Sequence, residues 1–445
     1  MKTNHLLLSL ALLAIGSTAR AQQSFLQSGP MLGYSEMREV MLWVQTNATA
    51  TVHFTYREKG KKSPEYHTAS VKTEKTRGYA AHCLADQVEP GKDYEATLFI
   101  NDQAISLPYP VEFHARDLWQ WRTEPPAFKF VIGSCAYHPD PTYDRPGKPY
   151  GGDEQIFKHI LDQEPDLMIW LGDNMYLREA DWNTMTGIHY RYTRSRSLEV
   201  LQPLLARVHH YAIWDDHDYG PNNSDQSFIH REKTLAAFKH FWANPTYGVL
   251  GESGVTTQFS WSDCDFFLLD NRYFRSAANR TTGKRTMLGE HQIEWLLDAL
   301  KASQATFKFV CIGGMVLSEA AMYENYIALY PQERKHLLEA IQKDGISGVI
   351  FLDGDRHHTE LSKWSPEGQF TIYDVTISPL TSGAHQGDGG KNALLVEGTE
   401  VAERNFATLE VTGPREDRLL TIRVFNMNGE EKWEYEIRAK ELHKK

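Results

Sequence analysis

Between about Phe25 and His114, short stretches rich in Val, Thr, Tyr and Phe alternate with turn signals. Val40 to Val44, Thr51 to Tyr56, Tyr94 to Ile100 and Val111 to His114 each have the length and composition of a strand, and their rhythm predicts a small antiparallel β-sandwich. A segment holding Trp119, Trp121, Pro125 and Pro126 then leads into a different pattern. From Phe128 onward, short apolar runs stop abruptly at polar residues: Phe128 to Ile132, Asp166 to Leu171, Val208 to Trp214, Asp265 to Leu269, Phe307 to Ile312 and Gly348 to Leu352. Helical periodicity separates them. It shows in Gly152 to Gln163, with Ile156, Phe157, Ile160 and Leu161 on one face, and in Glu290 to Ser303, with Ile293, Leu296, Leu297 and Leu300. A third helix opens at Pro331, a favoured first helical position, and turns Leu337, Leu338 and Ile341 inward. Alternating strands and helices predict a layered α/β domain, to which Phe406 to Val411, Leu419 to Phe425 and Lys432 to Arg438 add further strands.

A length of 445 residues fits two or three domains. Hydrophobic residues at 41% and charged residues at 24% are ordinary globular usage, which excludes a long disordered chain. The net charge of −11, with no basic block beyond the terminal His443-Lys444-Lys445, argues against a nucleic-acid-binding module. At the start, Lys2 precedes an apolar run, Leu6 to Ile15, too short to span a bilayer, and Ala19-Arg20-Ala21 fits a small-x-small cleavage site. The first 21 residues therefore read as a signal peptide cut before Gln22, with the β-sandwich over 22–117 and the α/β domain over 127–445. Export to a periplasm or medium follows. No cysteine follows the cleavage site and no later segment has the length of a membrane helix, so no stable membrane anchor is expected. The four cysteines, Cys83, Cys135, Cys264 and Cys311, are too few for a disulfide scaffold, and their spacing decides no pairing.

Four strand ends deliver metal-ligand residue types just where an apolar run stops: Gly133-Ser134-Cys135, Gly172-Asp173-Asn174-Met175-Tyr176, Trp214-Asp215-Asp216-His217-Asp218 with Asn222-Asn223 beyond, and Asp353-Gly354-Asp355-Arg356-His357-His358. In open α/β sheets ligands gather outside the carboxyl ends of strands. A glycine before Asp173 and before Asp355 lets the backbone turn sharply. The alternation Asp355-x-His357 would put two ligands on one side of an extended chain, toward a shared metal. Taken singly, each motif has an ordinary structural reading: a turn, a core histidine, a disulfide cysteine. Trp170 and Trp214 are expected beneath the site, and His209 and His210 in core or surface hydrogen bonds.

The series FVIGSC, LGDNMY, WDDHDYGPNN and FLDGDRHH resembles the alkaline phosphatase D, or PhoD-like, branch of the calcineurin-type metallophosphoesterases, over about Phe128 to Pro379. Where the wider superfamily carries Asp-x-His and Gly-Asn-His, this chain has the branch's Gly-Ser-Cys and Asp-Asp-His. An N-terminal sandwich is also typical of the branch, and Leu84 to Tyr94 resembles a corner of fibronectin type III-like domains. The resemblance implies an αββα metallophosphoesterase sandwich preceded by a small immunoglobulin- or fibronectin-like all-β domain. It makes Cys135 a thiolate ligand, Asp173 the bridging carboxylate and Tyr176 a phenolate ligand. Asp216, Asn222 or Asn223, Asp355 and His357 complete the set. It further implies a ferric ion on the thiolate and phenolate and calcium on the oxygen ligands, other divalent cations being compatible. Ligand chemistry agrees, since carboxylate and amide oxygens favour hard cations while thiolate and imidazole favour a transition metal.

The expected function is hydrolysis of phosphate esters, mono- or diester, by hydroxide that cations generate from water. His217 would serve the leaving oxygen, and Arg272, Arg275 and Arg356 the non-bridging oxygens, Leu269 to Arg275 resembling the family's Asp-x-Arg-x-x-Arg stretch. Loops at Thr186 to Arg196 and Tyr323 to Tyr330 are expected to set substrate width. The alternative is an exported binding or adhesion protein with structural cations and no turnover, which does not account for a thiolate and a phenolate among the ligands.

Overall fold

The apolar runs assemble into two sheets packed face to face. The computed structural model describes residues 25–387 and 391–443, so the signal peptide expected over 1–21 lies outside the described residues. One sheet has nine strands in the order Glu431–Arg438, Leu419–Asn426, Asn405–Thr412, Phe128–Gly133, Leu167–Leu171, His209–Ile213, Leu26–Ser35, Val40–Thr46 and Ala80–Ala85. The other has six, in the order Thr257–Trp261, Cys264–Leu268, Phe307–Cys311, Val349–Asp353, Ile372–Thr376 and Glu360–Trp364. Phe128–Gly133, Leu167–Leu171 and His209–Ile213 run parallel, as do Cys264–Leu268, Phe307–Cys311, Val349–Asp353 and Ile372–Thr376.

Strand alternation sorts side chains between layers. Phe266, Phe309 and Leu352 meet Phe130, Ile169, Leu171 and Ile213 in the core between the sheets. Their neighbours Phe267, Val310 and Phe351 point the other way, onto Ile293, Leu296 and Leu300 of helix Glu290–Ala302 and Leu337 and Ile341 of helix Pro331–Lys343. On the far side of the nine-stranded sheet, Trp170 and Trp214 pack with Phe157 of helix Ile156–Asp162 and Phe238 of helix Arg231–Phe241. Strands buried on both faces explain why these runs are continuously apolar. Fully burying each such side chain contributes about 1.5–3 kcal/mol, and all four cysteines are free thiols, so packing holds the fold.

The N-terminal region divides between two sheets. Leu26–Ser35, Val40–Thr46 and Ala80–Ala85 extend the nine-stranded sheet through a parallel pairing of Leu32 with His209. Thr51–Glu58 and Asp93–Ile100 centre a separate sheet. Leu42 and Val44 of the first pack onto Phe54, Leu98 and Phe113 of the second.

Three expectations change. Thr186 to Arg196 is not a loop: Met185–Arg196 is a helix, opened by Thr184, whose hydroxyl accepts the Gly187 N–H at 3.1 Å. Its inner face mixes Ile188 and Tyr192 with Arg191, bound to Asp181 at 2.8 Å, and Arg196, lying over the Trp242 ring at 3.7 Å, so its apolar stripe is interrupted, and none of its residues lines the main cleft. The helix expected from Gly152 begins at Ile156; Gly152 instead ties the preceding loop to Thr381, donating its N–H to that carbonyl at 2.8 Å. Leu26–Ser35, interrupted by Gly29 and Pro30, is a strand that no periodicity announced.

Candidate metal centre

The parallel strands end at one edge, where the loops after Gly133, Leu171, Ile213 and Asp353 converge. Two glycines make the convergence possible. Gly172 adopts φ +92°, and a Cβ there would come 2.8 Å from the Asp215 side chain. Gly354 lies so close to Ser134 that a Cβ would fall 2.3 Å from its hydroxyl. Ser134 is tied in turn to the Ile377 carbonyl, to which its hydroxyl donates at 2.9 Å. Past these glycines, Cys135, Asp173, Asp355 and His357 all take left-handed backbone conformations, at φ 59°, 51°, 65° and 56°. Such residues cost on the order of 1–3 kcal/mol each and gather where function requires them. Asp and His tolerate the region better than Cys does, so Cys135 carries the clearest strain.

Three groups of donors result, each with its ligand atoms within 4.8 Å of one another: Cys135, Asp173 and His357; Asp173, Asp216 and His217; and Asp215, Asp216 and Asp355. Asp173 joins the first group to the second, and Asp216 the second to the third. Asp355 and His357 do not alternate along an extended strand toward one metal, since both are left-handed and they fall in different groups. The Cys135 thiol donates to Asp173 Oδ2 at 3.8 Å, and Asp173 Oδ1 accepts the His217 N–H at 3.2 Å. Tyr176 is buried, its hydroxyl 3.2 Å from Nε2 of His357. The opposite ring nitrogen of His357 donates to the Gly383 carbonyl at 2.7 Å, which assigns the proton to Nδ1 and leaves Nε2 as a donor atom for a cation.

The third strand end is shaped by a capping box. Asp215 caps helix Asp216–Tyr219, and the Asp218 carboxyl accepts the N–H groups of Asp215 at 3.0 Å and Asn174 at 3.1 Å. The backbone N–H of Asn223 donates to Asp216 Oδ2 at 2.6 Å, while Asn222 donates from its side chain to Asn223 Oδ1 at 2.8 Å. Both asparagines line the cleft.

Electrostatics test whether cations fit here. Burial, then the carboxylates of Asp216 and Asp215, pushes the Asp173 carboxyl well above the ordinary range. Burial, then Asp215 and Glu324, does the same to Asp355. The Cys135 thiol and Tyr176 phenol are pushed up by burial and by Asp173, and burial, with His385 next, holds His357 down to about 3. Burial opposes ionisation of Asp216 as well, yet His217, Arg272 and the Asn223 N–H outweigh it and hold that carboxyl below its usual range. Asp215 Oδ2 and Asp216 Oδ1 accept no hydrogen bond among the described residues. Several acids facing one another with orphaned oxygens are repelled as they stand, and positive ions between them would reverse every one of the upward shifts. The donors fit cations of two kinds: sulfur, nitrogen and phenol oxygen around Cys135, and carboxylate oxygens around Asp216 and Asp355.

The groups open into a cleft of about 740 Å³ lined by Asp173, Asp216, His217, Asp355 and His357 on its floor. Arg275 and Arg356 also line it, Arg356 lying over the Tyr323 ring at 4.9 Å. Arg272 does not line it. It is 1% exposed beneath the floor, paired with Asp215, 3.0 Å from Glu324 and 3.8 Å from Asp216. Trp170 and Trp214 are core residues, and His209 and His210 are buried and hydrogen-bonded.

Asp215 and Tyr150 were not singled out as site residues from the sequence. Glu324 was not named either, but it lies in Tyr323 to Tyr330, the stretch expected to set substrate width, which lines the cleft through Tyr323, Glu324 and Leu329 and folds into a helix over Tyr326–Leu329. The Asp-Asp doublet carried a signal for Asp215. Tyr150 lines the cleft with its hydroxyl 3.0 Å from Nδ1 of His357, and Glu324 enters from the stretch before Tyr326–Leu329. Neither belongs to a periodic segment.

A two-sheet α/β fold with helices outside gathers acids, histidines and a thiol at one edge, outside its strand ends. The sequence pattern of the PhoD-like phosphatases matches residues 130–412, and the chain belongs to that family. A domain of unknown function, DUF7800, matches residues 23–117. Alkaline phosphatase D of Bacillus subtilis (strain 168) is 22% identical over 328 residues, covering 63% of this chain and 53% of that protein, so the match spans about half the length of this curated relative. Among solved structures, a structure of PhoD superposes with a TM-score of 0.76 at 16% identity, over 94% of this chain and 90% of that one. Purple acid phosphatase PPD1 from yellow lupin (Lupinus luteus) seeds gives 0.67 at 11% identity, over 92% of this chain and 74% of that one. Both likenesses concern the fold. No helix among the described residues is long and apolar enough to cross a membrane.

Proposed function

We propose that the cleft hydrolyses phosphate monoesters or diesters with the help of bound cations. The observation that carries this reading is the set of mutually repelling acids, Asp173, Asp216 and Asp355, gathered with His357 at one cleft floor, with Asp215 and Cys135 buried among them. Bound cations would supply Lewis acidity toward the phosphoryl oxygens and lower the pKa of water there. Cys135, Tyr176 and His357 would hold a ferric ion, and Asp216, Asp355 and the amide of Asn222 or Asn223 would hold calcium, with Asp173 shared between them. His217, half-exposed with its ring 4.2 Å from that of Tyr176, is positioned to hold a proton at the leaving oxygen. Arg275 and Arg356 would orient the non-bridging oxygens, and Arg272 would act through Asp215 and Glu324, holding them in place.

Protein purified without chelator, assayed on nitrophenyl phosphate and bis(nitrophenyl) phosphate, tests the reading. Turnover that chelator abolishes and added metal restores is expected; failure on both esters in metal-loaded protein would overturn it. Export by the signal peptide read over 1–21 belongs to the same proposal, and secreted protein should begin at Gln22 by mass spectrometry.

A further inference from the structure

Glu324 occupies an arm of Arg275 that a phosphoryl group would use. Its Oε2 accepts from Nη2 of Arg275 at 2.8 Å and from Nη2 of Arg272 at 3.0 Å, and both Glu324 and Arg275 line the cleft. Arg275 is held further by its Nε, which donates to the Tyr330 hydroxyl at 3.2 Å. Glu324 follows Tyr323, a residue at φ 46° whose ring lies against Arg356. Ala278, Met322 and Leu329 give the same cleft apolar lining.

An arginine whose fork is already met by a carboxylate has less to offer a second anionic oxygen. A carboxylate at the same place also repels added negative charge, and does so more strongly where water is partly excluded. A doubly charged phosphoryl group therefore meets an opposing charge at Arg275. A singly charged one meets less of it and can set an organic arm against Met322 and Leu329. We propose that Glu324 is a specificity-determining residue that lowers the affinity of the cleft for doubly charged phosphoryl groups, inorganic phosphate among them. This rests on the reading of Arg275 as a phosphate-orienting residue.

The test compares full-length, metal-loaded wild type with Glu324→Gln. Inorganic phosphate binding is measured by calorimetry, and kcat/KM on nitrophenyl phosphate and bis(nitrophenyl) phosphate, which share a leaving group. Loss of the charge should tighten phosphate binding about tenfold and raise the monoester-to-diester ratio about tenfold, a change of about 1.4 kcal/mol. Glu324→Asp, which keeps the charge, should stay within about twofold of wild type. Glu324→Ala, a second variant lacking the charge, must shift phosphate affinity in the same direction should the glutamine variant fold poorly. Unchanged or weakened phosphate binding in a folded, charge-free variant overturns the proposal. If the wild type turns over neither ester, the hydrolase reading fails, and the phosphate titration alone still decides what Glu324 does.

Discussion

The sulfur of Cys135 lies 3.8 Å from Oδ2 of Asp173, a contact that joins two strand ends 38 residues apart in the chain. Both groups are buried; burial and then Asp173 push the Cys135 thiol up, while burial and then Asp216 and Asp215 push the Asp173 carboxyl up. The arrangement is stable only as protonated acids or with cations between them.

That balance gives opposite signs for one substitution. Asp173→Asn removes a repelling carboxyl, so chelator-treated protein should melt a few degrees higher than wild type. The same variant should bind less metal and lose turnover by more than about a hundredfold. Melting curves with and without chelator, alongside elemental analysis, check both halves.

Gly354→Ala would drive a methyl group into Ser134 and push Cys135 and Asp355 apart. A loss of about 1–3 kcal/mol in stability is expected, with lower metal content. Gly314, whose added Cβ would meet nothing nearer than 3.8 Å, is the control, and its alanine variant should stay within about 0.5 kcal/mol of wild type. Denaturant melts of the two variants decide it.

Arg272 and Arg275 should separate in their effects. Arg272→Ala strands Asp215 beneath the floor and should cost about 3–5 kcal/mol. Arg275→Ala, 2% exposed but lining the cleft, leaves Glu324 still paired with Arg272 and should cost less stability and mainly raise KM. Equal loss of stability in both would reject the distinction.

Acid should weaken the fold through His209 and His210. Burial, opposed by a hydrogen bond to Gly33, holds His209 down to about 4; burial, opposed by one to Leu204, holds His210 down to about 3. The unfolded chain takes up these protons near 6.5 while the folded chain refuses them, so the stabilisation is complete above 6.5 and is lost as pH falls toward 4 and then 3. Each site contributes up to about 1.4 kcal/mol per pH unit in that window. Urea midpoints of wild type and His210→Gln between pH 7 and 4.5 should converge as the pH drops.

The strands that carry the ligands were legible because continuous apolar runs stop at Gly-Asp, Gly-Ser-Cys and Asp-Asp-His, and both signals are local. Helix Met185–Arg196 was hidden because Arg191 and Arg196 occupy its inner face, satisfied by Asp181 and by Trp242, which only the fold brings near. Leu26–Ser35 was hidden because Gly29 and Pro30 interrupt its apolar residues, although it pairs with the neighbouring Val40–Thr46. Tyr150 and Glu324 reach the cleft from irregular segments, where no repeat links residue number to direction. Arg272 was legible as a residue type but not in depth, since its burial follows from Asp215 and Glu324 closing over it.

The pairing of Leu32 with His209 means that the first hundred or so residues are no detachable accessory. Cutting them away would turn His209–Ile213, whose loop carries Asp215 and Asp216, into an exposed edge strand, which invites aggregation. Gene fusions or expression fragments that begin after residue 117 should therefore precipitate.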